Sequence, residues 1–372
     1  MLTPKQRMLN AYKGIFSDHY PVAPEFWNYY PAKIIGVNMI EFEKIHFWEA
    51  LKKTFNIYHT EGWANENAEF LNDEIKTEDS FKKLDSGKYR SICKRTYKGH
   101  EFTSSRLYDE KEPSWAEEFP VKNERELGLY IDMVLSERTQ FDFKKANIAY
   151  KGVGEDYLIE FGLGEPFFDF IASAMGYTNA IYFFLSGNET ALKQHFDRYV
   201  AFNINLIKEA IKNTDYESYF IGCAYACNSL IGPDLWRKWD KQYIKAVTEE
   251  LHKYGKLLHI HFHGKSMETA EDFAEIGVDC VCPFERPLGG DIEGVEGLKE
   301  LRRKLKDKVT VNGNIHTVET LIRGTARDVR REVREIKEAF SGSARLIIGT
   351  GDQVGYETTE DNIYAMIEEA RK

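Results

Sequence analysis

The stretch HIHFHGK, from His259 to Lys265, places an imidazole at every second position and then reaches a glycine. Alternate side chains of a β-strand point to the same face, so His259, His261 and His263 would share one face. Three rings crowded into one interior space need a compensating partner, and imidazole is a common metal ligand. A single inward histidine is more often a hydrogen-bonded core residue. A His-x-His pair at a strand end instead favours a metal site.

Further polar residues occur where other apolar runs end. Glu285 follows VDCVCPF, Asn314 lies near the end of KVTVNGNI, and Asp352 follows ARLIIGTG. The carboxyl ends of the strands of a parallel barrel share one face, and that face carries the chemistry. These residues are therefore expected to meet His261 and His263 in space. Asn314 could also belong to a tight turn around the adjacent glycine.

The segments around these residues set the fold class. From about residue 155 onward, short apolar runs alternate with longer helical patterns, which is typical of βαβ units and a parallel sheet. Seven runs, with PVAPEF near the start as an eighth, predict an α/β chain folded as a (β/α)8 TIM barrel. An open doubly wound sheet is the alternative, although no GxGxxG follows a first strand. The seven runs are DYLIEFG, AIYFFLSG, SYFIGCAYAC, KLLHIHFHG, VDCVCPFE, KVTVNGNI and ARLIIGTGD.

The first 150 residues lack this regular alternation of apolar runs and helical patterns. An opening helix is predicted with Thr3 as N-cap and Pro4 at the first helical position. Residues 88–108 predict a β-hairpin around a Lys-Gly turn, and EEFPVKNERELGLYIDMVL predicts a helix. We therefore expect one barrel domain over residues 1–372, in which residues 1–150 carry a helical and β-hairpin extension with lid elements.

Composition excludes several classes of protein. The net charge is −10, so neither a basic nucleic-acid surface nor a polybasic membrane patch is expected. No apolar run approaches the ~18–20 residues of a membrane span, and the first residues lack an apolar signal segment. Five cysteines argue against a disulfide framework. A cytoplasmic protein is the expectation.

The chain resembles the uroporphyrinogen decarboxylase superfamily, and in particular its branch of corrinoid-dependent methyltransferases. The resemblance is carried by TPKQRMLNAYKG, FPVKNERELGLY, PFFDFIASAMGY, HIHFHG, VDCVCPFERPLGGDIEGVEGLKEL, VTVNGNI, TLIRGTARDVRREVREI and LIIGTGDQVGYETTEDNIYAMIEEAR. It implies a (β/α)8 barrel. Porphyrinogen decarboxylases have an arginine-rich motif near the amino terminus, whereas this chain has VAPEFWNYYPAKIIG there, without arginine. Porphyrinogen decarboxylation is therefore not expected.

The resemblance also implies a ligand set. In the thiol-methylating members, zinc is held by His-x-Cys-Gly and by a later cysteine, and the matching positions here are His261, His263 and Asp352. Each replacement for a thiolate is itself a competent ligand. Imidazoles and a carboxylate leave zinc a stronger Lewis acid than thiolates do, which suits an ether oxygen. Asp352 and His261 are the predicted catalytic residues. Any fourth ligand would come from Glu285, Glu160 or Cys223.

We therefore expect a zinc- and corrinoid-dependent methyltransferase. It would move a methyl group from a small methylated substrate, such as a methoxylated aromatic, to the cobalt of a separate corrinoid-binding protein. The corrinoid is assigned to a partner because the chain has no Asp-x-His-x-x-Gly segment. Transfer from a methylcorrinoid to a thiol, a metal-independent decarboxylase and a non-catalytic binding protein are the alternatives. The predicted substrate-binding residues are Tyr225, Asn228, Glu160, Glu285 and Trp27.

Overall fold

A computed structural model describes residues 2–186 and 189–372. Within these residues the chain forms fourteen β-strands. In chain order they are β1 (Val22–Ala23), β2 (Trp63–Glu66), β3 (Glu69–Leu71), β4 (Lys76–Lys83), β5 (Tyr89–Tyr97), β6 (His100–Tyr108), β7 (Trp115–Glu118), β8 (Gln140–Asp142), β9 (Leu158–Gly162), β10 (Ser218–Cys223), β11 (Leu257–Phe262), β12 (Cys280–Pro283), β13 (Thr310–Ile315) and β14 (Leu346–Thr350).

Fifteen α-helices and one π-helix, Thr317–Ile322, complete the described part of the chain. The α-helices are α1 (Pro4–Lys13), α2 (Tyr29–Ile35), α3 (Met39–Phe42), α4 (Phe47–Tyr58), α5 (Glu124–Val134), α6 (Lys144–Val153), α7 (Phe167–Met175), α8 (Tyr177–Ser186), α9 (Glu189–Asn213), α10 (Asn228–Lys238), α11 (Asp240–His252), α12 (Ala270–Ile276), α13 (Gly294–Lys304), α14 (Ala326–Ala339) and α15 (Glu360–Ala370). Among the residues described, none of the helices is both long and apolar enough to cross a membrane.

Eight parallel strands form the central sheet, in the order β1-β14-β13-β12-β11-β10-β9-β2. Helices separate most successive strands of this sheet, as the predicted TIM-barrel architecture requires. The two ends of the order, β1 and β2, are bridged by a side chain: the Val22 amide donates to Glu61 Oε2 over 2.9 Å. Arg7 also donates to Glu61, over 3.2 Å. The predicted α/β barrel is confirmed.

Helix α1 covers the amino-terminal end of this barrel. Met8 and Tyr12 are fully buried and pack in one cluster with residues at the starts of strands, such as Leu158 and Leu257. The helix begins as predicted, with Thr3 accepting from Gln6 in a capping box and with proline at the first position. The bottom of the barrel is thereby sealed, which leaves the carboxyl ends of the strands for chemistry.

One predicted strand is wrong. Residues 180–187 were expected to form a strand, but residues 180–186 belong to α8, and Gly187 lies outside the described residues. Ala180, Phe183 and Phe184 are buried at helical spacing, while Tyr182 and Leu185 are exposed. A short run that is apolar throughout shows no hydrophobic periodicity, so its sequence does not distinguish a strand from a helix. The eighth barrel strand is instead β2, in GWANENAEF, which was not predicted.

The extension contains the predicted hairpin within a larger sheet. Strands β4 to β7 form a four-stranded antiparallel sheet, and the turn between β5 and β6 is Lys98-Gly99, both at positive φ. The predicted helix near residue 130 is α5. Residues 1–150 also supply β1 and β2 to the barrel, so this segment is part of the barrel as well as its extension. The single-domain boundary at 1–372 stays a prediction.

Candidate metal centre

The His-x-His pair lies at the carboxyl end of β11 and faces the barrel interior. His261 is 7% exposed and His263 is half-buried just beyond the strand. Their Nε2 atoms are 2.6 Å apart, and the rings are nearly perpendicular at 85°. Two ring nitrogens therefore point at one place, as the strand alternation predicts. Neutral imidazoles with nitrogens aimed at a common point can hold a cation.

Each of the two histidines belongs to a triad of side chains with metal-binding atoms, and the ligand atoms of each triad lie within 4.8 Å of one another. One triad is Glu25, His261 and Cys282, all buried; the other is His263, Glu285 and Asp352, all half-buried. The predicted ligands His261, His263 and Asp352 are thus divided between the triads. The 2.6 Å contact between the two histidines joins them.

The deeper triad is held by the barrel strands. His261 and Cys282 are register partners on β11 and β12, and His261 Nδ1 is 3.2 Å from Cys282 Sγ. Glu25 follows β1, and its backbone is tied to β14, since its amide donates to Thr350 Oγ1 over 3.0 Å. His261 Nδ1 is 3.3 Å from Glu25 Oε1. The strand ends of β1, β11 and β12 therefore bring three types of ligand together.

Glu25 is the least satisfied member of the cluster. It is 3% exposed, and neither carboxylate oxygen accepts a well-formed hydrogen bond from the described residues. Burial raises the pKa of Glu25 well above its usual range, with the charges of Asp352 and Glu285 adding to the effect and Trp27 opposing it. Buried polar atoms without partners are rare and costly. A positive ligand at this place would satisfy them.

His263 is oriented by Glu285 in the outer triad. His263 Nδ1 lies 2.6 Å from Glu285 Oε1, and the Gly264 amide donates to Oε2 over 3.1 Å. The loop after Glu285 closes tightly around it: a Cβ on Gly290 would lie 2.0 Å from the Glu285 carbonyl oxygen. A carboxylate on Nδ1 leaves Nε2 free for a metal, as in many carboxylate–histidine–zinc sites.

The charges of the cluster are unbalanced. Burial raises the pKa of Asp352, although His263 opposes the shift. Burial, then the neighbouring His263 and His259, lower the pKa of His261 well below its usual range. Among the described residues, no lysine or arginine lies within ion-pair distance of Glu25, Glu285 or Asp352. Three converging carboxylates without a fixed cation favour either protonation or a bound cation.

His259 forms a layer beneath the cluster. It is fully buried, with Nδ1 2.9 Å from Glu160 Oε2 and Nε2 3.1 Å from Cys282 Sγ. Ser218 Oγ donates to the other Glu160 oxygen over 2.7 Å, and the Tyr12 hydroxyl is 3.0 Å from His259 Nδ1. Polar contacts therefore run without a break from the barrel floor to His261. In this arrangement Glu160 supports His259 from below.

A cavity of about 520 Å³ opens beside the two histidines. His261, His263 and Phe220 are among its lining residues. The Phe220 ring is 5.4 Å from the His259 ring and 6.4 Å from the His261 ring. The size and the mixed apolar and polar lining are typical of small-molecule sites.

The predicted substrate residues lie in different places. The Trp27 ring is 6.2 Å from that of His261, edge-on, and stacks on Phe47. Tyr225 is part-exposed on the loop after β10, and its amide donates to Asp169 over 2.6 Å.

The remaining candidates lie away from the triads. Asn228 begins α10 and donates to Thr269 Oγ1 over 3.2 Å. Cys223 is fully buried in the main hydrophobic core and belongs to neither triad. Asn314 is buried below the rim and donates to the Phe284 carbonyl over 2.9 Å.

Sequence reasoning missed Glu25 and Cys282. Glu25 follows the run PVAP, so the rule that singled out Asp352, a polar residue just after an apolar run, would have found it. Cys280 and Cys282 alternate within an apolar run, a pattern that predicts core residues. Both cysteines indeed lie on buried β12, but Cys282 is opposite His261 and Cys280 is opposite His259.

Comparisons with known proteins agree on the fold. The family model described as Uroporphyrinogen decarboxylase (URO-D) matches residues 128–372. A solved methyltransferase from Methanosarcina mazei is similar with a TM-score of 0.65 and 16% identity, over 100% of this chain and 98% of that one. An intracellular xylanase from Thermoanaerobacterium saccharolyticum reaches a TM-score of only 0.38 at 11% identity, over 61% of this chain and 81% of its own, which supports no argument. No curated protein sequence matches. The match of the family model over residues 128–372, about two thirds of the chain, establishes that the chain belongs to the uroporphyrinogen decarboxylase family.

Proposed function

We propose that the protein is a metal-dependent methyltransferase. It moves a methyl group from a small methyl ether, such as a methoxylated aromatic, to the corrinoid of a separate protein. The observation that carries this proposal is the approach of the His261 and His263 Nε2 atoms beside a cavity, near three carboxylates that pair with no lysine or arginine of the described residues. Similarity to a solved methyltransferase over its full length supports the reaction class.

The donor set fits zinc. Imidazole nitrogen, carboxylate oxygen and thiolate sulfur are its usual protein ligands, and Glu25 contributes two buried oxygens without partners. His261, His263 and Asp352 would hold the ion, with Glu25 as a further ligand and Glu285 orienting His263. When bound, zinc would supply Lewis-acid polarisation of the ether oxygen, which makes that oxygen a better leaving group. Cys282 is an alternative ligand on the buried side.

The chain's own residues bind and orient the substrate. Phe220 and Trp27 provide aromatic surfaces next to His261 and would keep water from the reacting oxygen. Asp169 fixes the loop that carries Tyr225 by accepting its amide and the amide of Ala226. Such anchoring places the substrate in a fixed orientation beside the histidines, which is worth several kcal/mol in a two-reactant transfer.

The corrinoid would arrive on a partner that docks at the barrel mouth. Exposed apolar side chains follow three barrel strands at this end: Leu288 and Tyr356 in loops, and Val318 in the π-helix. Leu288 is 92% exposed and follows Glu285 by three residues. Apolar groups on the rim of a charged cleft suit a transient protein interface.

Methyl transfer to free corrinoid tests the proposal. The purified protein with zinc is mixed with reduced cob(I)alamin and a panel of methoxybenzenes, methylamines and methanol, and methylation of the corrinoid is followed by visible absorption. We expect methylation with a methyl ether, and its loss after chelation or in His263→Ala. Demethylation of methylcobalamin by an added thiol, without any ether reaction, would reverse the direction. Release of carbon dioxide from a carboxylic substrate by chelated protein would instead establish a decarboxylase.

A further inference from the structure

We infer that the cavity beside His261 and His263 selects uncharged or cationic flat ligands and rejects carboxylates. The inference deepens the proposed function, because it names the class of methyl ether that the site takes. It concerns binding alone, so it can be tested without any methyl transfer.

The inner cavity has polar walls without a cation. Its polar lining residues besides the histidines are mainly Asn65, Asn67, Asn203 and Glu165. No lysine or arginine is among the described residues that line it. A ligand carboxylate here would lose water and gain no positive partner, which is costly in a low-dielectric site.

Among the described residues that line the cavity, Glu165 is the one carboxylic acid. Glu165 is half-buried, and Ser173 Oγ donates to its carboxylate over 2.8 Å. Burial raises its pKa, with the Ser173 hydrogen bond opposing the shift. A second carboxylate in the same cavity would add like-charge repulsion, whereas an ammonium group would be attracted.

Aromatic rings define the shape of the cavity. Phe170 and Tyr199 stack at 4.5 Å with an interplanar angle of 21°. Phe220 lies on the same wall as His261. Several rings lining one cavity suit a flat ring, and their faces also attract cations.

A second cavity of about 840 Å³ continues outward from the first. The two share Phe70, Val134 and Phe202 in their linings. Its charged lining residues are Glu69, Asp73 and one cation, Arg95. The described lining residues of the two cavities together carry more acidic than basic side chains, which disfavours an anion.

A bound divalent cation would not reverse this balance. Glu25, Glu285 and Asp352 surround the candidate metal position, and no described lysine or arginine pairs with them. With all three carboxylates ionised, their charge exceeds that of one divalent ion, so the cluster as a whole would carry no net positive charge.

Three methoxybenzene probes of similar size test the inference: 3-methoxybenzyl alcohol, 3-methoxybenzylamine and 3-methoxybenzoate. Binding is measured at pH 7 by calorimetry, on the protein as purified and after chelation. We expect the alcohol and the amine to bind at least about tenfold more tightly than the benzoate in both states. Equal or tighter binding of the benzoate, or binding of none of the three, would overturn the inference.

Two variants at the cavity wall test whether the charge of the wall determines the ligand selectivity. Asn67 is exposed at the cavity wall, so Asn67→Lys adds a cation there with little disturbance. It should raise the affinity for the benzoate by about tenfold, while Asn67→Gln should leave the order unchanged. If Asn67→Lys leaves the benzoate as weak as before, wall charge does not set selectivity and the inference fails. Binding in the expected order without methylation of the corrinoid would refute the proposed function alone.

Discussion

The Nε2 atoms of His261 and His263 lie 2.6 Å apart at the mouth of the barrel. At this distance the two nitrogens are spaced to share one proton. In a tetrahedral zinc site the two nitrogens would be about 3.3 Å apart, given zinc–nitrogen distances of about 2.0–2.1 Å. A small outward movement of His263, which lies beyond the end of β11, is enough to reach that spacing.

Replacing either histidine should abolish metal binding. Since both Nε2 atoms point at one position, His261→Ala and His263→Ala each remove a ligand that the other cannot replace. We expect near-stoichiometric zinc in the wild type and loss of most of it in both variants, by elemental analysis of purified protein. His46→Ala, an exposed histidine before α4, is the control and should retain zinc. Retention of full zinc by His263→Ala would exclude it as a ligand.

Replacing Glu25 should have opposite effects on the two forms of the protein. Its carboxylate is buried without partners and its pKa is raised. Glu25→Gln should therefore stabilise the metal-free protein by about 1–3 kcal/mol at pH 8, while lowering zinc affinity by at least about tenfold. Thermal unfolding with and without zinc measures both effects. Exposed Glu137→Gln should change neither, and a Glu25→Gln variant with unaltered zinc affinity would remove Glu25 from the ligand set.

The loop after β12 should be sensitive to a single methyl group. A Cβ at Gly290 would lie 2.0 Å from the Glu285 carbonyl oxygen, so Gly290→Ala must displace Glu285 and with it His263. We expect a loss of unfolding free energy of about 2 kcal/mol or more and weaker zinc binding. Gly128→Ala is the matched control, and its expected effect on stability is the opposite. Gly128 lies in α5 with open space around it, so alanine there should raise the free energy of unfolding by about 0.5–1 kcal/mol. Equal effects of the two substitutions would contradict the described packing.

The buried Asp169 should make stability depend on pH. Burial raises its pKa from 3.8 to about 7, against hydrogen bonds from the Tyr225 and Ala226 amides. Because the folded pKa exceeds the unfolded one, the stabilisation by this group is complete below about pH 4 and is lost as the pH rises through about 7. Asp169→Asn should therefore be more stable than the wild type at pH 8, by up to about 4 kcal/mol, and lose this advantage at pH 4.

Chemical denaturation at both pH values checks this expectation. Asp85→Asn, in an exposed turn, is the control. Its free energy of unfolding should differ from that of the wild type by the same small amount at both pH values. An Asp169→Asn variant that is less stable than the wild type at pH 8 would mean that the amide hydrogen bonds outweigh the cost of burying the charge.

The parts of the fold with a clear period were predictable from the sequence. The alternation of His259, His261 and His263 placed them on one face of β11, and the repeated strand–helix rhythm gave the barrel. The run at residues 180–187 failed because it is apolar throughout, and burial of Phe183 and Phe184 within α8 decided its structure. Strand β2 was missed because its four residues, Trp63–Glu66, include only two apolar ones.

Part of the candidate site was predictable, because some of its residues directly follow recognisable strands. Asp352 and Glu285 follow long apolar runs and were recognisable, whereas Glu25 follows a strand of two residues. The place of Cys282 opposite His261 depends on the register of β11 and β12, which a sequence does not display. The division of the ligands into a buried and a half-buried triad likewise arises only when the strands are assembled.

Diffraction from zinc-soaked crystals, measured at the zinc absorption edge, tests the central claim most directly. The account predicts one strong anomalous peak within about 2.0–2.1 Å of the Nε2 atoms of both His261 and His263, with a carboxylate oxygen of Asp352 or Glu25 completing the site. A peak bound to only one of the two histidines, or no peak at the barrel mouth, would contradict it.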